Sequence, residues 1–144
     1  MSAERWFIDT NVLVYVYDND SAAKQARARD TLEQCDAKLV ISPQVLGEFF
    51  VTITRKLTRT RKIAEAAKAV EQLRGYEVQA ITGSTVSSAI ARTQSSMLSY
   101  WDALIVESAI AAGANRLLTE DLSHGQQFDG LEVTNPFAGV DESL

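Results

Sequence analysis

Arg5-Trp6-Phe7-Ile8-Asp9-Thr10-Asn11-Val12-Leu13 is the stretch on which the architecture turns. A short apolar run ends at a carboxylate, and the polar pair Thr10-Asn11 follows. Arg5–Asp9 reads as a first strand. Residues 10–17 carry two signals, because Val12, Val14 and Val16 alternate like a strand while Thr10-Asn11 looks like the start of a new element. Outward from here, short apolar runs alternate with longer amphipathic ones, the pattern of βα units around a parallel sheet. Asp20–Gln34 reads as an Ala-rich helix and Lys38–Ile41 as strand 2. Ser42-Pro43 is a capping hydroxyl followed by proline at the first helical position. The helix it opens carries Val45, Leu46, Phe49, Phe50 and Ile53 on one stripe. A further helix spans about Ile63–Leu73 and stops at Gly75. Tyr76–Ile81 reads as strand 3 and Ser84–Thr93 as a helix. Ser99 caps a helix over Tyr100–Ala112 that ends at Gly113, Arg116–Thr119 is strand 4, and Leu131–Thr134 is a fifth. Right-handed crossovers permit the order 3-2-1-4-5. The expectation is a single-domain α/β/α sandwich over residues 1–144.

The composition bounds the class. Apolar content of 46% with 23% charged residues is that of a folded globular chain and excludes a disordered one. No run of about 18 apolar residues is present, so no membrane span is expected. Cys35 is the only cysteine. It excludes an intrachain disulfide and a thiolate metal cage, and a reducing cytoplasm is the expected setting. The net charge of −5 hides an asymmetry: residues 1–74 hold 12 Lys and Arg against 10 Asp and Glu, whereas residues 75–144 hold 2 against 9. Arg55-Lys56-Leu57-Thr58-Arg59-Thr60-Arg61-Lys62 packs five cations into eight residues. It reads either as a solvated helix end or as a patch for phosphates.

Four acids stand where the local pattern favours something apolar or uncharged: Asp9, Glu48, Asp102 and Asp121. In a doubly wound sheet, ligands bind beyond the carboxyl ends of the strands where strand order reverses. Asp9 and Asp121 lie at or just past the ends of strands 1 and 4, and helices starting near Ser42 and Ser99 can add Glu48 and Asp102. On its helix Asp102 shares a face with Ile105, Val106 and Ala109, although Ser99-x-x-Asp102 also matches a capping box. Glu120 rivals Asp121 for the fourth position. Clustered carboxylates repel and are costly to bury without a cation, and nearby bases are too few for all four. A divalent metal, and with it metal-dependent phosphoryl transfer, is the economical reading.

Other chemistries lack their parts. His124 is the sole histidine, so a paired-histidine ribonuclease mechanism is excluded within one chain. There is no nucleophile elbow, glycine-rich phosphate loop or dinucleotide fingerprint. Phosphatases and receiver proteins of similar architecture place a lysine late in the chain, and none follows Lys68.

Phe7-Ile8-Asp9-Thr10-Asn11-Val12-Leu13, Ser42-x5-Glu48, Tyr100-Trp101-Asp102-Ala103-Leu104-Ile105 and Leu118-Thr119-Glu120-Asp121-Leu122 resemble, in order and spacing, the motifs of the PIN domain. The size is similar to the VapC-type toxin ribonucleases of toxin–antitoxin pairs. The resemblance implies a parallel-sheet sandwich and an acidic pocket for Mg²⁺ or Mn²⁺. By this match Asp9, Glu48, Asp102 and Asp121 are the metal-site carboxylates, with Asn11 and Thr119 lining the pocket. It further implies a metal-dependent endoribonuclease, an RNA substrate, an antitoxin partner and a homodimer. Arg55, Lys56, Arg59, Arg61 and Lys62 are then the candidates for gripping RNA. The alternative is a PIN-like scaffold that binds RNA or protein without cutting. Phe49, Phe50 and Trp101 near the site suit either a partner or the core, and core is the expectation for aromatic residues at helical spacing.

Overall fold

The computed structural model describes residues 4–140. Six strands form one sheet in the order β3-β2-β1-β4-β6-β5: β1 (Arg5–Ile8), β2 (Lys38–Ile41), β3 (Glu77–Val78), β4 (Arg116–Leu118), β5 (Gln127–Phe128) and β6 (Leu131–Thr134). Every neighbouring pair is parallel except β5–β6. Phe7, Ile8, Val40, Ile41, Leu117, Leu118 and Val133 are essentially sealed from solvent, as continuous apolar runs in a parallel sheet covered on both faces should be. Leu131–Thr134 pairs with β4, the place expected of the fifth strand. The two-residue edge strand β5 has no counterpart in the sequence reading, and β3 keeps only two of the six residues expected of it.

Six helices connect the strands: α1 (Thr10–Tyr17), α2 (Ala22–Glu33), α3 (Pro43–Val51), α4 (Ile63–Leu73), α5 (Gly83–Ser96) and α6 (Tyr100–Ala111). α1 settles the two-way signal over residues 10–17. Val12, Leu13 and Val14 are all buried, because α1 packs against both α2 and α3. A helix enclosed on several sides needs no single apolar stripe, and its packing overrides the strand preference of its valines. The caps match their sequence signals. Ser42 Oγ accepts from Val45 N, with Pro43 in the first turn. Ser99 Oγ accepts from Asp102 N at 3.1 Å. At the end of α6, Gly113 has φ +72. Gly113 N donates to Ile110 O, and Ala114 N to Ala109 O, a paired closure that satisfies the last carbonyls and uses glycine's freedom at positive φ.

α3 does not run on regularly. It widens into a π-helical turn over Thr52–Lys56, closed by Leu57 N donating to Thr52 O at 3.2 Å. Such turns are rare and recur at functional sites. Arg61 folds back from the basic run: its guanidinium donates to Tyr17 O at 2.9 Å, placing a cation at the negative end of α1.

Candidate metal centre at the ends of β1 and β4

β1 and β4 are neighbours, with Ile8 opposite Leu118, and Asp9 N donates to Leu118 O at 2.9 Å. The chain winds from β1 towards β2 and β3 on one side and from β4 towards β6 on the other. The residues leaving these two strands therefore enter the crevice where strand order reverses. Asp9 is the N-cap of α1. Its Oδ1 accepts from Thr10 N at 2.7 Å, and its Oδ2 from Thr119 Oγ1 at 2.8 Å. The fully buried Thr119 is a junction, since its hydroxyl also accepts from Asn11 Nδ2 and from Asp121 N. Asn11 Nδ2 donates to Asp121 Oδ2 at 2.9 Å, and Thr10 Oγ1 donates to Glu48 Oε1 at 3.4 Å. Asp102 sits in the first turn of α6. The positive ends of α1 and α6 thus face carboxylates.

The electrostatics tie the four acids together. Burial pushes the Asp9 carboxyl up to about 7; its two hydrogen bonds oppose the shift, and Asp121 and Glu48 add to it. Partial burial also raises Glu48, with Asp102 adding repulsion. Asp121 is raised by partial burial and then by Asp102 and Glu120. Only Asp9 is buried, at 6% exposed. Asp102 is half-buried, while Glu48 and Asp121 open to solvent, so the expectation of four enclosed carboxylates holds for one. None of the four has a cation at ion-pair distance among the described residues.

Glu120 and Asp121 part company here. Glu120 Oε1 accepts from Tyr15 OH at 2.8 Å and its Oε2 from Lys24 Nζ at 2.9 Å. Asp121 instead turns towards Asn11. A cleft of about 620 Å³ runs from Thr10, Asn11, Glu48, Glu120 and Asp121 to Thr52, Lys56 and Leu57 on the π-helical turn. Lys56 therefore reaches the acidic cleft. Arg55, Arg59 and Lys62 are exposed around the same segment, Arg59 with Asp20 at 3.8 Å, whereas Arg61 is committed to Tyr17.

Phe49 is fully buried against Tyr17, Phe50 is half-buried, and Trp101 is 63% exposed. The core expectation therefore fails for Trp101. As the second residue of α6 it points outward, while its carbonyl accepts from Gln44 Nε2. His124 is an exposed loop residue whose Nδ1 accepts from Asn135 N. The sequence reading did not single out Thr10, Tyr15 or Lys24. Thr10 had a signal, its place beside Asp9; Tyr15 and Lys24 had none.

Among the described residues, no three Asp, Glu, His or Cys side chains close into a ready-made cage. The donor set is nonetheless all oxygen and anionic, which suits a hard divalent ion such as Mg²⁺ that keeps several waters and binds through one or two carboxylates. Asp9 fits that role best, as a sealed carboxylate without a counter-charge.

The sequence matches the PIN domain model over residues 6–126. No curated protein matches it. Among solved structures, the chain is similar to a toxin–antitoxin complex from Klebsiella pneumoniae, at 20% identity and TM-score 0.70 over 94% of this chain and 98% of that one. It is also similar to VapC20 of Mycobacterium tuberculosis, described as a sarcin-ricin loop cleaving toxin, at 20% identity and TM-score 0.61 over 95% and 97%. VapBC2 of Rickettsia felis, bound to a fragment of its promoter DNA, gives 16% identity and TM-score 0.63 over 91% and 98%. At these identities the likeness is one of fold.

Proposed function

Because the chain belongs to the PIN domain family, we propose that it is a metal-dependent endoribonuclease, the toxin of a toxin–antitoxin pair, with residues 1–144 forming one nuclease domain. The observation that carries this reading is Asp9: a sealed carboxylate, raised to about 7, coupled to Glu48 and Asp121 and without a counter-cation among the described residues. The names of the similar structures support it, one being described as a sarcin-ricin loop cleaving toxin and another as a toxin–antitoxin complex.

Asp9, Glu48, Asp102 and Asp121 would hold Mg²⁺ or Mn²⁺. When bound, the ion supplies an activated water and neutralises the phosphodiester and its leaving oxygen. Thr10 N and Thr119 Oγ1 fix both oxygens of Asp9. Asn11 orients Asp121, and the Thr10 hydroxyl reaches Glu48. Lys56, on the cleft wall, faces the incoming phosphates, with Arg55, Arg59 and Lys62 extending that charge. Arg61 is not an RNA contact in this scheme, because its guanidinium holds Tyr17 O. Attack by water rather than by a ribose 2′-hydroxyl leaves 5′-phosphate and 3′-hydroxyl ends. A cognate antitoxin and a second copy of the chain are the proposed partners, and the cytoplasm the proposed setting. No helix among the described residues is long and apolar enough to cross a membrane.

Purified protein incubated with total RNA in Mg²⁺, in EDTA, and as Asp9→Ala tests the reading. Discrete fragments with Mg²⁺ that vanish in both controls establish the ribonuclease. Intact RNA in all three arms, with folded protein and metal binding verified, would favour the non-catalytic scaffold.

A further inference from the structure

Two adjacent acids leave β4, yet they face different partners. Glu120 has both carboxylate oxygens engaged, one by Tyr15 OH at 2.8 Å and one by Lys24 Nζ at 2.9 Å. Lys24 Nζ also lies 3.2 Å from Tyr15 OH. It sits 4.8 Å from the centre of the Tyr15 ring and 5.5 Å from that of Phe137, and those two rings pack edge-on at 4.8 Å. The ion pair is well shielded, its side chains 15% and 23% exposed. Lys24 is thus fixed by an aromatic corner built from α1 and the segment after β6. Glu120 meanwhile lines the same cleft as Glu48 and Asp121. Released, it would add an unbalanced negative charge beside Asp121.

We infer that Lys24 is a positioning residue: with Tyr15 it holds both oxygens of Glu120 turned from the acidic cluster and offsets part of its charge, so that Asp121 and not Glu120 completes the ion-binding set. This rests on the metal-centre reading. The aromatic corner gives the device its rigidity, since the ammonium cannot follow Glu120 towards the cluster without leaving both rings. It also accounts for the division of labour between two neighbouring acids that sequence spacing leaves equivalent.

Mn²⁺ titration of metal-free protein, read by the paramagnetic resonance of free Mn²⁺, tests the inference without reference to cleavage. Lys24→Met keeps the apolar stem against Tyr15 and Phe137 but removes the charge. It should tighten Mn²⁺ binding roughly three- to tenfold, the scale of one unit charge acting at a protein surface. Glu120→Gln removes a negative charge from the cleft wall and should weaken binding by a similar factor. The double variant and Lys24→Arg should both return to near the wild-type affinity. A purely structural role would lower the melting temperature in these variants without raising any affinity. Unchanged or weaker binding in folded Lys24→Met would overturn the inference; should that variant fail to fold, unchanged affinity in Glu120→Gln would do so. Wild-type protein that binds no Mn²⁺ would overturn the metal-centre reading itself, and this inference with it.

Discussion

Among the half-buried groups of charge in the described residues, two are built on opposite plans. Beside β5, the Arg92 guanidinium meets Glu107 at 2.5 Å and Asp129 at 2.7 Å, with the Phe128 ring 5.4 Å away. Arg92 and Glu107 are only 14% and 12% exposed and cancel each other, with Asp129 at the solvent edge. At the ends of β1 and β4, four carboxylates couple to one another, and none has a cation at ion-pair distance among the described residues. The first group is complete; the second has the charge pattern of a site awaiting something positive. Buried charge is tolerated where it is paired, so where pairing is missing, function is the better explanation than stability.

Raising pH separates the two most sharply. The folded Asp9 carboxyl titrates at about 7 against an ordinary 3.8, so between these values the folded state holds a proton that the unfolded chain has lost. Stability of the metal-free protein should therefore fall as pH climbs from about 4 to about 7 and level off above. Linkage over that window is on the order of 4 kcal/mol, and Glu48 and Asp121 shift in the same direction. Asp9→Asn should flatten the profile and stabilise the metal-free protein at pH 8; denaturant midpoints across pH measure both. Mg²⁺ should reverse the loss in the wild type and do little for the variant. A pH-independent wild type would erase the contrast.

Arg92→Met should do the reverse of Asp9→Asn, costing about 3 kcal/mol by leaving Glu107 unpaired, read as a lowered urea midpoint with no response to Mg²⁺. Thr119→Val keeps the shape but removes the hydroxyl that donates to Asp9 and accepts from Asn11 and Asp121 N. Mn²⁺ affinity should drop about tenfold, the usual size for a group that orients a metal ligand, as calorimetry can determine. The smallest effect belongs to Lys56→Ala. Its exposed side chain should leave stability within about 0.5 kcal/mol, while the salt dependence of RNA binding loses about one unit of slope.

Much of this was legible in the residues. Phe7-Ile8, Val40-Ile41 and Leu117-Leu118 announce central strands because both faces of a parallel sheet demand apolar side chains. The hydroxyls of Ser42 and Ser99 announce helix starts because the first turn needs acceptors. Asp9 was visible as a charge ending an apolar run. What escaped depends on partners distant in sequence. The helical state of Val12–Val14 follows from enclosure by α2 and α3, and the local alternation argues against it. Glu120 and Asp121 are told apart by Lys24, 96 residues away from Glu120. Trp101 is outward because its neighbours on α6 already fill the interior, a matter of which turn faces the sheet and not of how apolar the residue is. β5 is two residues long and carries no pattern.

The widened turn at Thr52–Lys56 has a consequence for how this site could be altered. A π-helical turn holds one residue more than the α-helical spacing, so it works as a phase shift between α3 and the basic run. Were the same residues to take α-helical hydrogen bonds instead, everything after the turn would rotate by about 100°, taking Lys56 off the cleft wall with every charge retained. Hydrogen-bond spacing, more than composition, governs whether the basic segment meets the acidic one.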